Sequence, residues 1–236
     1  MDARIKSQVT KYRDEILDRE YSLLEDAQKS LVGDFHRLVD IGCGSFGLLG
    51  RNGKRLAGLQ ARSLGIDLDR AGLASNPNVA HRVCASCYSL PLECASVDFI
   101  VCRWVFEHLE RPDEAMREFS RVLKKNGFLY IKTPNLWNYG MLLSWATPTV
   151  FHNLFRSATG LRENTPTFYR ANTKRQLTEL ATASGFAIRN LESYSNSFMY
   201  YSFNKELFLA MRAMSAVVGK VTNRMQQVLL CVMEKM

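Results

Sequence analysis

The run Leu38-Val39-Asp40-Ile41-Gly42-Cys43-Gly44 constrains this chain more than any other segment. Its short apolar stretch predicts a strand buried on both faces, and the glycine after it predicts a sharp turn. Glycines at that point let the main chain approach a ligand closely, and N–H groups at the start of a following helix can hold an anionic group. Taken alone, the pattern reads as a nucleotide-binding turn.

The residues downstream repeat the strand-then-helix theme. Ser63–Asp67 predicts a second strand, ending in Gly65-Ile66-Asp67, and a third falls around Ala80–Cys84. Val97–Cys102 is almost continuously apolar and predicts a fourth. The spacing predicts a helix over Pro112–Lys125, with Ala115, Met116, Phe119, Val122 and Leu123 facing inward. Pro112 suits its first turn, Asp113 and Glu114 the positive end of its dipole, and Lys124 and Lys125 its last turn. Asn126-Gly127 then reverses the chain, since both residues tolerate positive φ, and Phe128–Lys132 is the fifth strand.

Alternation over residues 37–132 implies a doubly wound parallel sheet. A helix is expected before it, over residues 4–31. After it, Thr173-x-x-Gln176 is a capping box opening a helix that ends at Gly185. Phe186–Ser193 is a sixth strand, residues 203–225 a helix, and Val228–Met233 a last strand beside the sixth. The expected fold is therefore α/β, a doubly wound, mostly parallel seven-stranded sheet with helical insertions in its C-terminal part. Three regions are expected: an N-terminal helical segment (1–34), a ligand-binding core (35–135) and a substrate-side part (136–236).

Composition narrows the function. The N-terminal residues Met1–Lys6 lack an apolar signal region, which leads us to expect a cytoplasmic rather than a secreted protein. Six cysteines then read as reduced thiols. Cys84 and Cys87 form a C-x-x-C without a second pair at zinc spacing, so they read as small apolar residues at a strand end. His36, His81 and His152 show no ligand spacing, and no metal is expected. Residues 1–138 carry 20 Lys/Arg against 18 Asp/Glu, and residues 139–236 carry 11 against 5. That C-terminal excess suits an anionic ligand, a membrane surface or a solvated face. No arginine-rich arm, zinc finger or RNP-like motif directs it to nucleic acid. Thr133–Phe155 is uncharged, but its two prolines and several amides exclude a spanning helix. Its aromatic residues suit an apolar pocket wall or a peripheral membrane contact.

With Asp40 two residues before the first glycine, and with Gly50 and Gly53 interrupting the segment after the loop, the pattern fits a dinucleotide site poorly. It resembles instead the class I methyltransferases that use S-adenosylmethionine, in particular the group called type 11, most strongly over about residues 35–135. The resemblance implies a Rossmann-like fold. It also implies that Asp40, Gly42, Cys43 and Gly44 wrap the methionine part of the cofactor and that Asp67 binds its ribose hydroxyls. Leu68, Ser86, Cys87 and Arg103 would complete the cofactor site. A carboxylate is the natural bidentate partner for a diol. Val97–Arg103 resembles the fourth-strand motif, and Glu107-His108-Leu109 is common in the group. Glu118 and Arg121 match an E-x-x-R pair, expected to be a structural i,i+3 ion pair.

Three positions depart from the family pattern. Phe46 stands where a third glycine is usual, which predicts a reshaped loop or a narrowed pocket. Ser86 replaces the usual adenine-binding acid, and Lys125-Asn126-Gly127 replaces a Pro-Gly-Gly turn. A narrower resemblance, to one bacterial subgroup, covers Thr165–Thr173. There Tyr169 and Arg170 are candidates to meet the acceptor, or else Arg170 anchors the loop while Asn172 and Thr173 cap the next helix.

Methyl transfer from a sulfonium is an in-line displacement that needs alignment and, for a hydroxyl acceptor, loss of a proton. His108 is the expected base, with Glu107 orienting it or serving instead, and Trp104 either lines the acceptor or belongs to the core. The implied activity is methyl transfer to an O or N atom of a small or lipid- or glycan-linked acceptor. The alternatives are a non-catalytic cofactor-binding scaffold, motivated by Phe46 and Ser86, and a nicotinamide oxidoreductase.

Overall fold

A computed structural model describes residues 3–30, 37–47, 63–138, 166–194, 205–222 and 225–236. Helix α1 (Ala3–Lys29) precedes β1 (Leu38–Ile41) and β2 (Ser63–Asp67). There follow α2 (Arg70–Ser75), β3 (His81–Cys84), β4 (Val97–Arg103) and a 3-10 turn (Phe106–His108). The chain continues through α3 (Pro112–Val122), β5 (Leu123–Pro134), α4 (Lys174–Ala183), β6 (Phe186–Tyr194), α5 (Lys205–Val221) and β7 (Val228–Lys235).

The strands form one seven-stranded sheet in the order β3-β2-β1-β4-β5-β7-β6. β1 to β5 are parallel, and β7 runs antiparallel between β5 and β6. The order reverses beside β1, and in open α/β sheets that switch point opens a crevice at the C-terminal ends of the strands.

Period-two alternation divides the buried side chains between the faces. Val39, Ile41, Ile100, Cys102, Leu129 and Ile131 join Ala115, Met116, Phe119 and Val122 of α3 and Leu177 and Ala181 of α4. On the other face Leu38, Phe99, Val101, Phe128 and Tyr130 meet Tyr21, Leu23, Leu24 and Ala27 of α1. Each large side chain sealed this way contributes roughly 1.5–3 kcal/mol. α5 buries Phe208 and Met211, and its Arg212 donates to Gln8 of α1 over 3.0 Å. Among the described residues no helix is long and apolar enough to cross a membrane.

The structure corrects the helix expected over Pro112–Lys125, which stops at Val122. Leu123 leaves the helix because it pairs with Val97 at the start of β5, and Lys124 reaches Asp98 at 2.8 Å instead of closing a helical turn. In the reversal only Asn126 has positive φ, 63°. Gly127 is needed for space, because a Cβ there would lie 2.9 Å from the Lys124 carbonyl and 3.0 Å from that of Asp98. All six cysteines are free. The apolar reading of the C-x-x-C holds for Cys87, which packs on the core, and fails for Cys84, which is exposed at the end of β3. Gly50, Gly53, Thr165 and the uncharged stretch beyond Asn138 lie outside the described residues.

Candidate functional site

β1 delivers the chain into the turn Gly42–Gly47. The Gly42 N–H donates to the Ile66 carbonyl at 2.7 Å, and Gly42, Gly44 and Gly47 take φ of 68°, 47° and 54°. A Cβ on Gly42 would lie 2.3 Å from Val105 Cγ2, and one on Gly47 would lie 2.6 Å from Asp40 Oδ2. The turn therefore folds back over the buried Asp40, and only glycine fits at either place. Cys43 packs beside Gly65, and burial is the main reason its thiol is pushed up to about 12. It stays protonated, and so does Cys87, raised by burial to about 11.

A second set of residues fastens the turn from outside. Asn76, fully buried just after α2, donates from Nδ2 to the Gly44 carbonyl at 2.9 Å and to that of Cys43 at 3.3 Å. Asn78 Nδ2 reaches the Phe46 carbonyl at 3.0 Å. These asparagines were missed in the sequence, where Asn76-Pro77-Asn78 reads only as a loop. Phe46 itself is 60% exposed and points away from the turn's interior.

Asp67 ends β2 directly opposite. Its Oδ2 accepts the Gly44 N–H at 2.7 Å and its Oδ1 the Asp69 N–H at 2.8 Å. Four lone-pair sites serve a carboxylate, so these two bonds orient it and leave capacity on both oxygens. Leu68 beside it is 71% exposed. Ser86 Oγ accepts the Tyr88 N–H at 3.2 Å, shaping the loop after β3. Glu118 and Arg121, paired at 2.7 Å, fix the next part of that loop. Glu118 accepts from the Leu90 N–H, and Arg121 donates to the Leu90 and Leu92 carbonyls.

Arg103 and Trp104 lie past the other side of the turn. Arg103 faces α1, its Nε 2.9 Å from Glu20 Oε1 in an ionic contact without hydrogen-bond geometry. Glu20 is fully buried and also accepts from Tyr130 at 3.0 Å and Lys132 at 2.7 Å. Burial would raise its pKa, but the charges of Lys132 and Arg103 and the bonds from Lys132 and Tyr130 outweigh it and hold it low. Trp104 adopts φ 58°, costly for a bulky residue, and its ring stands 5.4 Å from Lys132 Nζ.

The 3-10 turn after β4 carries Glu107 and His108. The Glu107 carboxylate is buried and accepts from Thr133 Oγ1 at 3.1 Å. His108, half-buried, brings Nδ1 to 2.9 Å from the Pro166 carbonyl. A carbonyl only accepts, so Nδ1 carries a proton, and in the neutral ring Nε2 is then the proton-accepting nitrogen. The orienting partner of His108 is thus a main-chain oxygen.

Tyr169 and Arg170 both lie against this turn. The Phe168 and Tyr169 N–H groups donate to the Glu107 carbonyl at 2.7 and 3.2 Å, and Arg170 Nη1 donates to the Glu110 carbonyl at 2.7 Å. Thr173 caps α4, accepting the Gln176 N–H at 3.1 Å. No group of three or more potential metal ligands occurs among the described residues.

Residues 39–131 match the methyltransferase-domain family known as type 11. Over those residues the chain is similar to class I S-adenosylmethionine-dependent methyltransferases. It is 35% identical over 104 residues to the biotin biosynthesis bifunctional protein BioHC of Cellvibrio japonicus, a match spanning 42% of this chain and 20% of that protein. It is 33% identical over 101 residues to a Mycobacterium tuberculosis protein named "Probable S-adenosylmethionine-dependent methyltransferase", spanning 42% of this chain and 35% of that one. The matches therefore cover well under half of either relative. In fold, it is similar to geranyl diphosphate C-methyltransferase from Streptomyces coelicolor. That similarity has a TM-score of 0.62 at 13% identity, covering 100% of this chain and 85% of the other.

Proposed function

We propose that the methyltransferase domain transfers a methyl group from S-adenosylmethionine to an oxygen or nitrogen of a small or lipid- or glycan-linked acceptor, with His108 as the base. The observation carrying the reading is the His108 Nδ1 contact with Pro166, which leaves Nε2 as proton acceptor beside the C-terminal ends of β4 and β5. A base so prepared is useful when the acceptor atom must lose a proton, as a hydroxyl or amine does.

The residues present fit the cofactor. Asp67 retains a lone pair on each oxygen for a ribose diol while Gly44 and Asp69 hold it still. The glycine turn, with Asp40 and Cys43, offers close main-chain approach, and exposed Leu68 with Ser86 and Cys87 forms an edge for adenine. Arg103 and Trp104 turn instead to the α1 face, where Glu20 pairs with Arg103 and Trp104 packs on the core. When bound, S-adenosylmethionine supplies an electrophilic methyl group on a sulfonium. The protein's part is alignment, exclusion of water and acceptance of the proton by His108. Trp137 and Phe168 are left exposed, at 59% and 38%, in the segments that follow β5 and precede α4. Exposed aromatic side chains of this kind support an apolar or lipid-linked acceptor and a peripheral membrane contact.

Titration calorimetry with S-adenosylmethionine and with NAD tests the cofactor: heat from NAD alone would overturn the assignment. Release of S-adenosylhomocysteine in the presence of cellular lipid and glycan extracts, lost in His108→Gln, is the expected result for turnover. Full release by the variant would remove His108 from the role.

A further inference from the structure

We propose that Pro166–Thr173 is the positioning element for His108 and that Asn172 is the residue anchoring it. This rests on the reading of His108 as the base. The imidazole is held as the Nδ1–H tautomer only while the Pro166 carbonyl stays 2.9 Å away. What keeps that carbonyl in place is the run of residues behind it.

That run is bonded along its length to two elements. The N–H groups of Phe168 and Tyr169 share the Glu107 carbonyl, and Arg170 reaches the Glu110 carbonyl while lying 5.7 Å from the Phe168 ring. Tyr169 takes φ 51°, a bend that brings Phe168 and Arg170 onto the same turn. Asn172 then ties the segment to the end of β5. It is fully buried, and Nδ2 donates to Thr133 Oγ1 at 2.7 Å and to the Pro134 carbonyl at 3.0 Å. Its own carbonyl accepts the Leu136 N–H at 2.8 Å.

Thr133 closes the loop of bonds. Its hydroxyl accepts from Asn172 and donates to Glu107, the neighbour of His108. One threonine thus couples the anchor to the turn that carries the base. Asn172 Oδ1 is buried with no hydrogen-bond partner among the described residues, an arrangement that costs stability and is kept because Nδ2 faces two acceptors. The Pro134 carbonyl cannot donate, so aspartate at position 172 would set oxygen against oxygen. The aromatic-Arg-x-Asn-Thr pattern therefore acts as a clamp that sets the protonation geometry of a histidine some sixty residues earlier in the chain.

Nitrogen-15 NMR of histidine-labelled full-length protein tests this without an acceptor, with the His108 signal assigned by its absence in His108→Gln. In the wild type the neutral ring is expected as the Nδ1–H tautomer. In Asn172→Leu the tautomer ratio should fall roughly five- to tenfold, the scale of one hydrogen bond. Thr133→Val, nearly equal in shape, should give a smaller fall in the same direction if the first variant does not fold. A wild-type ring that is Nε2–H, or a ratio unmoved in a folded variant, would overturn the proposal. A ratio that shifts as expected while His108→Gln still releases S-adenosylhomocysteine would support the clamp and sink the base assignment.

Discussion

The two sides of the crevice are held by opposite means. The glycine turn Gly42–Gly47 is defined by absent side chains: a methyl group at 42 or 47 would collide, and three positive φ angles fall within six residues. The turn bearing Glu107 and His108 is defined by present ones, through bonds from a segment about sixty residues later. Positive φ is a local property of each glycine, and Val105, Asn76 and Asn78 only brace a bend the glycines already make. A clamp of side-chain bonds can be undone piecemeal from either partner. The contrast teaches that the glycine turn should fail all at once and the His108 turn by degrees.

The largest effect is expected from a residue at neither turn. Glu20 holds half-buried Arg103 at the end of β4 and buried Lys132 on β5, so Glu20→Ala takes the carboxylate from both cations, costing roughly 3–5 kcal/mol. Hydrogen exchange should rise first at the ends of β4 and β5 and less at residues 42–47; the reverse order would break the contrast. The Glu20 carboxyl is held below its unfolded value, so its contribution is fully present above about pH 4–5 and is lost as pH falls through its folded pKa. Thermal melts across that acidic range should fall more steeply for wild type than for Glu20→Gln.

Gly42→Ala comes next, at roughly 2–4 kcal/mol from left-handed backbone and the Val105 clash together. Calorimetry should find S-adenosylmethionine affinity lost, and a variant that binds normally would show the turn to be pliant. Asp67→Ala should cost roughly 1.5–3 kcal/mol of cofactor affinity, the scale of hydrogen bonds to a charged group. Unchanged affinity would remove Asp67 from the ribose. The smallest change is expected from Phe46→Ala, within roughly 0.5 kcal/mol because the ring is mostly in water. A tenfold loss of affinity would mean that the ring folds over the bound cofactor.

Most of the sheet could be read from the chain, because β1, β4 and β5 are short apolar runs next to glycine or helix signals. The glycine turn could be read because its three positive-φ glycines lie within six residues. The end of α3 misled, since Lys124 and Lys125 suit a helix terminus and nothing nearby reveals that Leu123 pairs with Val97. Asn76 was missed because its partners, Cys43 and Gly44, lie 33 and 32 residues back. Glu20 looked like one more charge on an amphipathic helix. The one clue was Lys132, a lone cation in an apolar strand that needs a buried counter-charge.

The place of β7 has a consequence for synthesis. It is made after β5 and β6 yet lies between them, pairing with both. While the ribosome adds the residues from β5 to β7, about 5–20 s at ordinary elongation rates, the main chain beside Leu129, Tyr130 and Ile131 has no neighbour on that side. A nascent chain of this kind presents a bare, apolar strand edge until its last strand emerges. Stalling before residue 228 should therefore yield aggregates or chaperone-bound chains, even though every residue of the cofactor turn has already been made.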